Sequence, residues 1–284
     1  WDADELSLYG RFDFILAKDG TPKILEFNAD TPTSLLEASV IQWQWKEDVF
    51  PECDQFNGIH EGLVQSWKDI FPKKGEIHFA GALENNEDTG TLQYLASTAM
   101  EAGFSTRVLD MQALDLQNGR FFDPAGELVN RCFKLYPWEW MVDESPDGCL
   151  AEMEWLEPIW KLVMSNKAIL ATLYELFPDS PYVLPCYLSR PRSGLFCKKP
   201  VFSREGHNVS VVDIRDWEEY VRIAETEGDY NTGAYVYQEY VEPTAYSGRY
   251  PVIGSWIIGG EAAGIGNRME VTDNLSEFVP HIIG

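Results

Sequence analysis

Polar and apolar residues alternate from Arg11 to Ala17 and again from Pro22 to Asn28. Period-two alternation marks a strand with two unlike faces, and the intervening Asp19-Gly20 is a strong hairpin signal. A two-residue turn there sets Lys18 opposite Thr21, which brings Asp13 opposite Glu26 and Arg11 opposite Asn28. Those four polar groups then share one face, while Phe12, Phe14, Leu25 and Phe27 point the other way, into a core.

Beyond the hairpin the period lengthens. Thr33 to Trp45 and Gln55 to Ile70 read as amphipathic helices, the first capped by Asp30 or Thr31 with Pro32 in its opening turn. Glu76 to Leu83 predicts a buried strand, Glu84 to Asp88 an acidic loop, Thr89 to Ala102 a helix closed by Gly103, and Ser105 to Asp110 another strand. That order is a βαβ unit in an open α/β sheet. Asn118-Gly119 and Pro124 to Gly126 read as turns.

Two helices, Ala151 to Met164 and Asn166 to Leu176, lead into a proline-rich stretch from Pro178 to Pro191. Leu195 to Val201 and Val209 to Ile214 read as strands around a polar loop, Phe202 to Asn208. A helix over Asp216 to Glu227, a strand over Ala234 to Val241 and a hairpin around Gly259-Gly260 complete the chain. The class is α/β (α+β), and the change of texture near residue 160 suggests an α/β domain over 1–160 followed by a β-rich lobe over 161–284.

Composition narrows the function. With 46 acidic and 22 basic residues the formal charge is -24, which disfavours nucleic acid or an anionic membrane as partner; it is compatible with a cationic substrate such as a polyamine, and solubility alone is the plainer reading. Five cysteines without a CxxC spacing read as reduced thiols of a cytoplasmic protein. The histidines and cysteines lie apart, so the sequence supports neither a zinc site nor a Cys-His nucleophile pair. The chain opens at Trp1 without an initiator methionine, which suggests that an N-terminal portion of the natural protein lies outside it.

Three places carry candidate chemistry. Asp13 and Glu26 directly opposite each other repel, and a hard cation with oxygen ligands, such as Mg²⁺ holding a nucleotide phosphate, would resolve the conflict. An ordinary solvated edge hairpin is the plain alternative. Between Lys161 and Arg215 the balance reverses to eight basic and four acidic residues, and Lys198-Lys199-Pro200 followed by Ser203-Arg204 resembles a strand feeding a phosphate-clamping loop. The end of the strand through Gln238 and Glu239 could meet an adenine edge or be plain core, and Arg268 follows a glycine-rich strand where backbone can approach a ligand closely, an ordinary surface arginine being the alternative.

Taken together these residues resemble the glutathionylspermidine synthase family of ATP-grasp carbon–nitrogen ligases. The resemblance rests on Arg11-Phe12-Asp13 with Glu26-Phe27-Asn28-Ala29-Asp30, Asn166 to Leu170, Lys199-Pro200 with Arg204, Tyr237-Gln238-Glu239 and Arg268, in order over nearly the whole chain. Trp138-Glu139 and Glu157-Pro158 with Trp160 fit it too. The metal hairpin precedes the phosphate lysines, the circularly permuted order of that family. The resemblance implies an ATP-grasp-like fold with an open mixed sheet and a β-rich nucleotide-clamping subdomain.

It further implies ATP and Mg²⁺, with Asp13, Glu26 and Asn28 holding the metal. Lys167, Lys199, Gln238 and Glu239 would bind nucleotide, while Arg11, Arg204 and Arg268 would act on the transferring phosphoryl group. Thr31, Thr33, Glu87 and Asp88 would meet a peptide carboxylate or an amine such as a polyamine. The departures cluster on that substrate side, where Leu135 stands in place of the family's threonine. The competing reading is a catalytically silent nucleotide- or peptide-binding scaffold on the same fold.

Overall fold

The computed structural model describes residues 5–204, 206–216, 219–230, 233–272 and 275–283, so Glu205 of the expected loop and 217–218 of the expected helix fall outside it. The chain begins with strands β1 (Tyr9–Leu16) and β2 (Pro22–Asn28), followed by a π-turn over Glu37–Ile41 that continues into α1 (Gln42–Val49). Helix α2 (Ile59–Ile70), β3 (Glu76–Gly81), α3 (Asn86–Glu101) and β4 (Ser105–Asp110) come next. Short strands β5 (Asp115–Gln117), β6 (Arg120–Phe122) and β7 (Leu128–Val129) precede β8 (Arg131–Leu135). Helices α4 (Trp138–Glu144) and α5 (Pro146–Cys149) and strand β9 (Glu154–Leu156) then lead to helices α6 (Lys161–Met164) and α7 (Ile169–Leu176). The remainder is β-rich: β10 (Cys186–Tyr187), β11 (Gly194–Pro200), β12 (Ser210–Ile214), β13 (Tyr220–Glu225), β14 (Tyr235–Glu239), β15 (Tyr250–Ile258), β16 (Glu261–Thr272) and β17 (Leu275–Val279).

These strands make a parallel sheet in the order β4-β3-β8-β9, an antiparallel sheet β10-β14-β11-β12-β13, a small sheet β5-β6-β7 and a central antiparallel sheet β17-β16-β15-β1-β2. The expected βαβ unit is present, with β3 and β4 parallel across α3. The central sheet takes strands from both sides of residue 160, because β15 pairs along β1 from Tyr9↔Ile258 to Ile15↔Val252. One core fills the space between that sheet and the parallel sheet, with Tyr9, Leu63, Trp67, Phe79, Phe133 and Trp256 fully or almost fully buried. Apolar burial on this scale is the main force holding the two layers together.

Several expected elements differ. The stretch 151–164 is helical only from Lys161, since β9 pairs in parallel with β8 and Pro158 prevents a helix from running through. Tyr220–Glu225 is an edge strand paired to β12 rather than part of a helix. Its aromatic and β-branched residues, Tyr220, Val221 and Ile223, favour the extended form once β12 offers a partner. The first predicted helix starts after Ser34, which sits at φ 65°, and α2 starts at Ile59 rather than Gln55. No helix of the described residues is long and apolar enough to cross a membrane.

Candidate active site

The hairpin register places Asp13 opposite Glu26 and Arg11 opposite Asn28, as the alternation requires, but by another route. The turn is a three-residue loop, with Ala17 N donating to Thr21 O at 3.0 Å, Gly20 N donating to Ala17 O at 2.8 Å and Gly20 at φ 82°. Phe14 therefore faces Ile24, and a bulge at Leu25 restores the pairing of Asp13 with Glu26. The turn and the bulge cancel, which is why a two-residue turn predicts the same partners.

The faces are reversed from expectation. Arg11 is 5% and Asp13 1% exposed, whereas Phe12, Phe14, Leu25 and Phe27 are only half-buried. Trp256, opposite Arg11 on β15, continues the inward face and stacks on Tyr9 at 6.1 Å. Phe12 and Phe27 instead stack on one another at 4.1 Å.

On the inward face Arg11 grips Asp13 with both oxygens, Nε to Oδ1 at 2.6 Å and Nη2 to Oδ2 at 2.9 Å, and donates Nη1 to Thr33 O at 2.5 Å. Burial opposes the arginine's charge, but Asp13 first, then Glu26 and Glu87, raise its pKa. Gly254 lies opposite Asp13 because a Cβ there would sit 2.8 Å from Arg11 Cδ. Arg268 reaches Asp13 Oδ2 from β16 at 2.7 Å.

Lys167 Nζ stands 3.0 Å from Glu26 Oε2 and donates to Ser203 O at 2.6 Å. Burial pushes the Glu26 carboxyl up, yet Lys167 and Lys199 more than offset it and hold its pKa at about 2. Lys199 donates to Gln238 Oε1 at 2.7 Å and to Leu25 O, at the bulge, at 3.1 Å. Burial holds the pKa of Lys199 below the ordinary lysine range.

Gln238 Nε2 donates to Ile24 O at 2.8 Å, so its side chain ties β14 to β2. Glu239 is exposed on the opposite face, with its backbone N donating to Pro185 O at 2.7 Å. Arg204 donates Nη1 to Thr31 Oγ1 at 2.6 Å and Nη2 to Glu139 Oε1 at 2.7 Å.

Asn28 Nδ2 lies 3.4 Å from Asp13 Oδ2 and 3.5 Å from Glu26 Oε1, too long for strong hydrogen bonds but close enough that the three groups converge. The amide turned over would present oxygen beside both carboxylates, a donor set of the hard kind that Mg²⁺ takes. Among the described residues there is no cluster of three or more His, Cys, Asp or Glu able to hold a metal, so the set depends on the Asn28 amide. The residues fit Mg²⁺ on that condition, with Asp13 already shared by two arginines.

A cavity of about 220 Å³ adjoins this face, lined by Thr31, Thr33, Glu87, Asp88, Leu135 and Trp140 among others. Glu87 and Asp88 stand in the first turn of α3, where Asn85 Oδ1 accepts from Glu87 N at 2.9 Å. All the expected substrate-side residues therefore meet at one cavity.

Sequence reading missed the groups that hold this face in place. Lys134 is fully buried and donates to Asp30 Oδ1 at 2.7 Å, while Asp30 Oδ2 accepts from Trp138 N at 2.9 Å. Glu157 Oε1 accepts from the backbone of Leu8 and Tyr9 at 3.0 and 3.1 Å, and Lys161 donates to Tyr9 O and Ala29 O at 2.8 and 2.9 Å. The signals for them were Asp30 in the hairpin motif, expected as a helix cap and here bonded to Lys134 and Trp138 N instead, and the resemblance at Trp138-Glu139 and Glu157-Pro158, which carried no role.

The chain is 38% identical over 299 residues to a Haemophilus influenzae protein provisionally named an acid–amine ligase, covering 99% of this chain and 76% of that protein. It is 27% identical to the trypanothione synthetase of Crithidia fasciculata and 26% to the bifunctional glutathionylspermidine synthetase/amidase of Escherichia coli K12. Those matches cover 94% and 96% of this chain but only 45% and 49% of the two proteins, so the chain spans about half of each. In fold it superposes on a Methylobacillus flagellatus protein provisionally described as a γ-glutamylcysteine synthetase (TM-score 0.63, 12% identity, 100% of this chain and 82% of that one). A glutathione synthetase-like effector of Globodera pallida fits equally (TM-score 0.63, 11% identity, 99% and 77%).

The fold is that of the glutathione synthetase-like structures, and the sequence relatives are ligases and synthetases of the carbon–nitrogen class. The model of the glutathionylspermidine synthase preATP-grasp family matches residues 1–284, and the chain belongs to that family.

Proposed function

We propose that this ligase joins a peptide or small-molecule carboxylate to an amine, a polyamine being the favoured class, through an acyl phosphate formed from Mg-ATP. The observation that carries the reading is the convergence of Arg11, Arg268 and Lys167 on the Asp13–Glu26 face, next to a cavity with carboxylates at Glu87 and Asp88. In this reading residues 161–284 supply the nucleotide side, with Lys167 and Lys199 toward the phosphates and the strand end at Gln238 and Glu239 toward adenine.

Asp13, Glu26 and Asn28 would hold Mg²⁺, which when bound offsets phosphate charge. Arg11 and Arg268, fixed by Asp13, face the γ-phosphoryl group as a substrate carboxylate attacks phosphorus and ADP leaves. Arg204 lies against the same phosphates. Thr31 and Thr33 orient the carboxylate substrate, and Glu87 and Asp88 attract the ammonium form of the amine. The ammonium gives up a proton to one of these carboxylates or to water, the free amine attacks the acyl carbon, phosphate departs and the amide remains. Positioning and electrostatics suffice, so no Ser or Cys nucleophile is needed.

Incubation with Mg-ATP and panels of peptides and polyamines, followed for ADP and for new amide mass, tests the proposal. Amide product with ADP release dependent on both partners is expected. ADP release that never responds to an amine would overturn it.

A further inference from the structure

Arg204 stands on the wall between two spaces. One is the 220 Å³ cavity with Glu87 and Asp88, and the other is a recess of about 30 Å³ bounded by Glu26, Asn28, Lys167 and Ser203. Its fork is already spent, one arm on Thr31 at 2.6 Å and the other on Glu139 at 2.7 Å. Glu139 is a side chain of α4, which also presents Trp140 with its ring centroid 5.8 Å from the guanidinium carbon.

Neither partner of the ion pair is satisfied. Glu139 Oε2 and Arg204 Nε are buried without hydrogen-bond partners, as are the hydroxyls of Ser165 and Ser203, and all four residues line the small recess. A recess of that size holds about one water or one anionic oxygen. A phosphate oxygen entering it would find Lys167, the free Nε and two hydroxyls. It would also meet the negative charge of Glu139, which both repels it and competes for the guanidinium.

Resting on the Mg-ATP reading above, we infer that Glu139 is a positioning residue for Arg204: a counter-ion that holds the arginine between the two spaces and must yield it to an incoming nucleotide phosphate. Leaving a half-buried guanidinium without a partner is costly, so Glu139 keeps it ordered until the competing anion arrives. Nucleotide affinity is lowered in exchange for a clamp already aimed at Thr31 and the substrate cavity.

The test measures the affinity of the protein for Mg-AMPPNP by calorimetry in a double-mutant cycle of Glu139→Gln and Arg204→Met. Glu139→Gln keeps the shape and removes the charge, and affinity should rise about three- to tenfold, the scale of one partly buried ion pair. Arg204→Met should weaken binding, and adding Glu139→Gln to it should bring no gain. A structural defect would not tighten binding in one background and leave the other unmoved.

Unchanged or weaker binding by Glu139→Gln overturns the inference, and so does an equal gain in both backgrounds, which would report long-range charge instead of pairing. Should Glu139→Gln not fold, Glu139→Asp carries the test, because a shorter carboxylate loosens the pair and should move affinity in the same direction. Wild-type protein that fails to bind Mg-AMPPNP at all overturns the nucleotide reading itself, an outcome distinct from the others.

Discussion

Lys167 Nζ lies 3.0 Å from Glu26 Oε2, and that contact joins the segment after α6 to the hairpin at the point where two carboxylates face each other. The lysine relieves part of the repulsion between Asp13 and Glu26, and Arg11 with Arg268 relieves the rest. The two carboxylates are thus balanced by cations of the chain itself.

Removing the Glu26 carboxylate should separate fold from ligand binding. Lys167 keeps its bond to Ser203 O, so Glu26→Gln should retain the ligand-free far-UV spectrum. The rise in Tm produced by Mg-AMPPNP should vanish in it and in Asn28→Ala. A wild-type rise in both variants would mean that the metal lies elsewhere.

Gln238 gives a stability prediction. Its amide bridges Lys199 and Ile24 O, so Gln238→Leu leaves the buried ammonium only Leu25 O and takes the side-chain donor from the Ile24 carbonyl. A loss of about 1–3 kcal/mol in urea unfolding is expected. A direct role in base recognition alone would leave unfolding unchanged.

The buried Lys134–Asp30 pair should behave asymmetrically. Lys134→Met or Asp30→Ala alone leaves an unpaired charge in the core and should cost about 3–5 kcal/mol. The double variant should be less destabilised than the sum of the two, by chemical denaturation. Additive losses would show that the pair is not coupled.

Gly254→Ala should damage turnover without adding or removing a charge. The new Cβ meets Arg11 Cδ at 2.8 Å and Gly266 O at 3.1 Å, and the arginine must move. A fall in kcat on the order of 100-fold, with a smaller change in KM, is expected from steady-state kinetics.

His78 should confer an acid-side pH dependence on stability. The ring is 2% exposed and neither nitrogen has a hydrogen-bond partner. Burial first, with Arg107 assisting against Glu76 and Asp123, holds its pKa below the ordinary value. The unfolded chain therefore binds the proton more readily, and stability should decline as pH falls below about 6.5. Tm measured between about pH 7 and 5, above the ordinary carboxylate range, should show this slope, and His78→Gln should reduce it, the remainder coming from His281, whose pKa burial also lowers.

The sequence by itself determined the local geometry: the alternation that pairs Asp13 with Glu26, the βαβ unit around α3, the hairpin at Gly259-Gly260, and a set of residues specific enough to name the family. Alternation fixes which residues share a face and says nothing about which face is covered. Only the tertiary structure decided that Arg11 and Asp13 turn inward, because β15 brings Trp256 beside Arg11 and Gly254 beside Asp13 while Phe12 and Phe27 are left half-buried. It likewise decided that 220–225 is a strand, since an edge pairing with β12 outweighs a weak local preference. The partnerships of Lys134 with Asp30, Arg204 with Glu139 and Lys199 with Gln238 join residues distant in the chain, and no spacing rule connects them. Burial makes those ion pairs and hydrogen bonds obligatory, because a charged group taken out of water must find its partner in the fold.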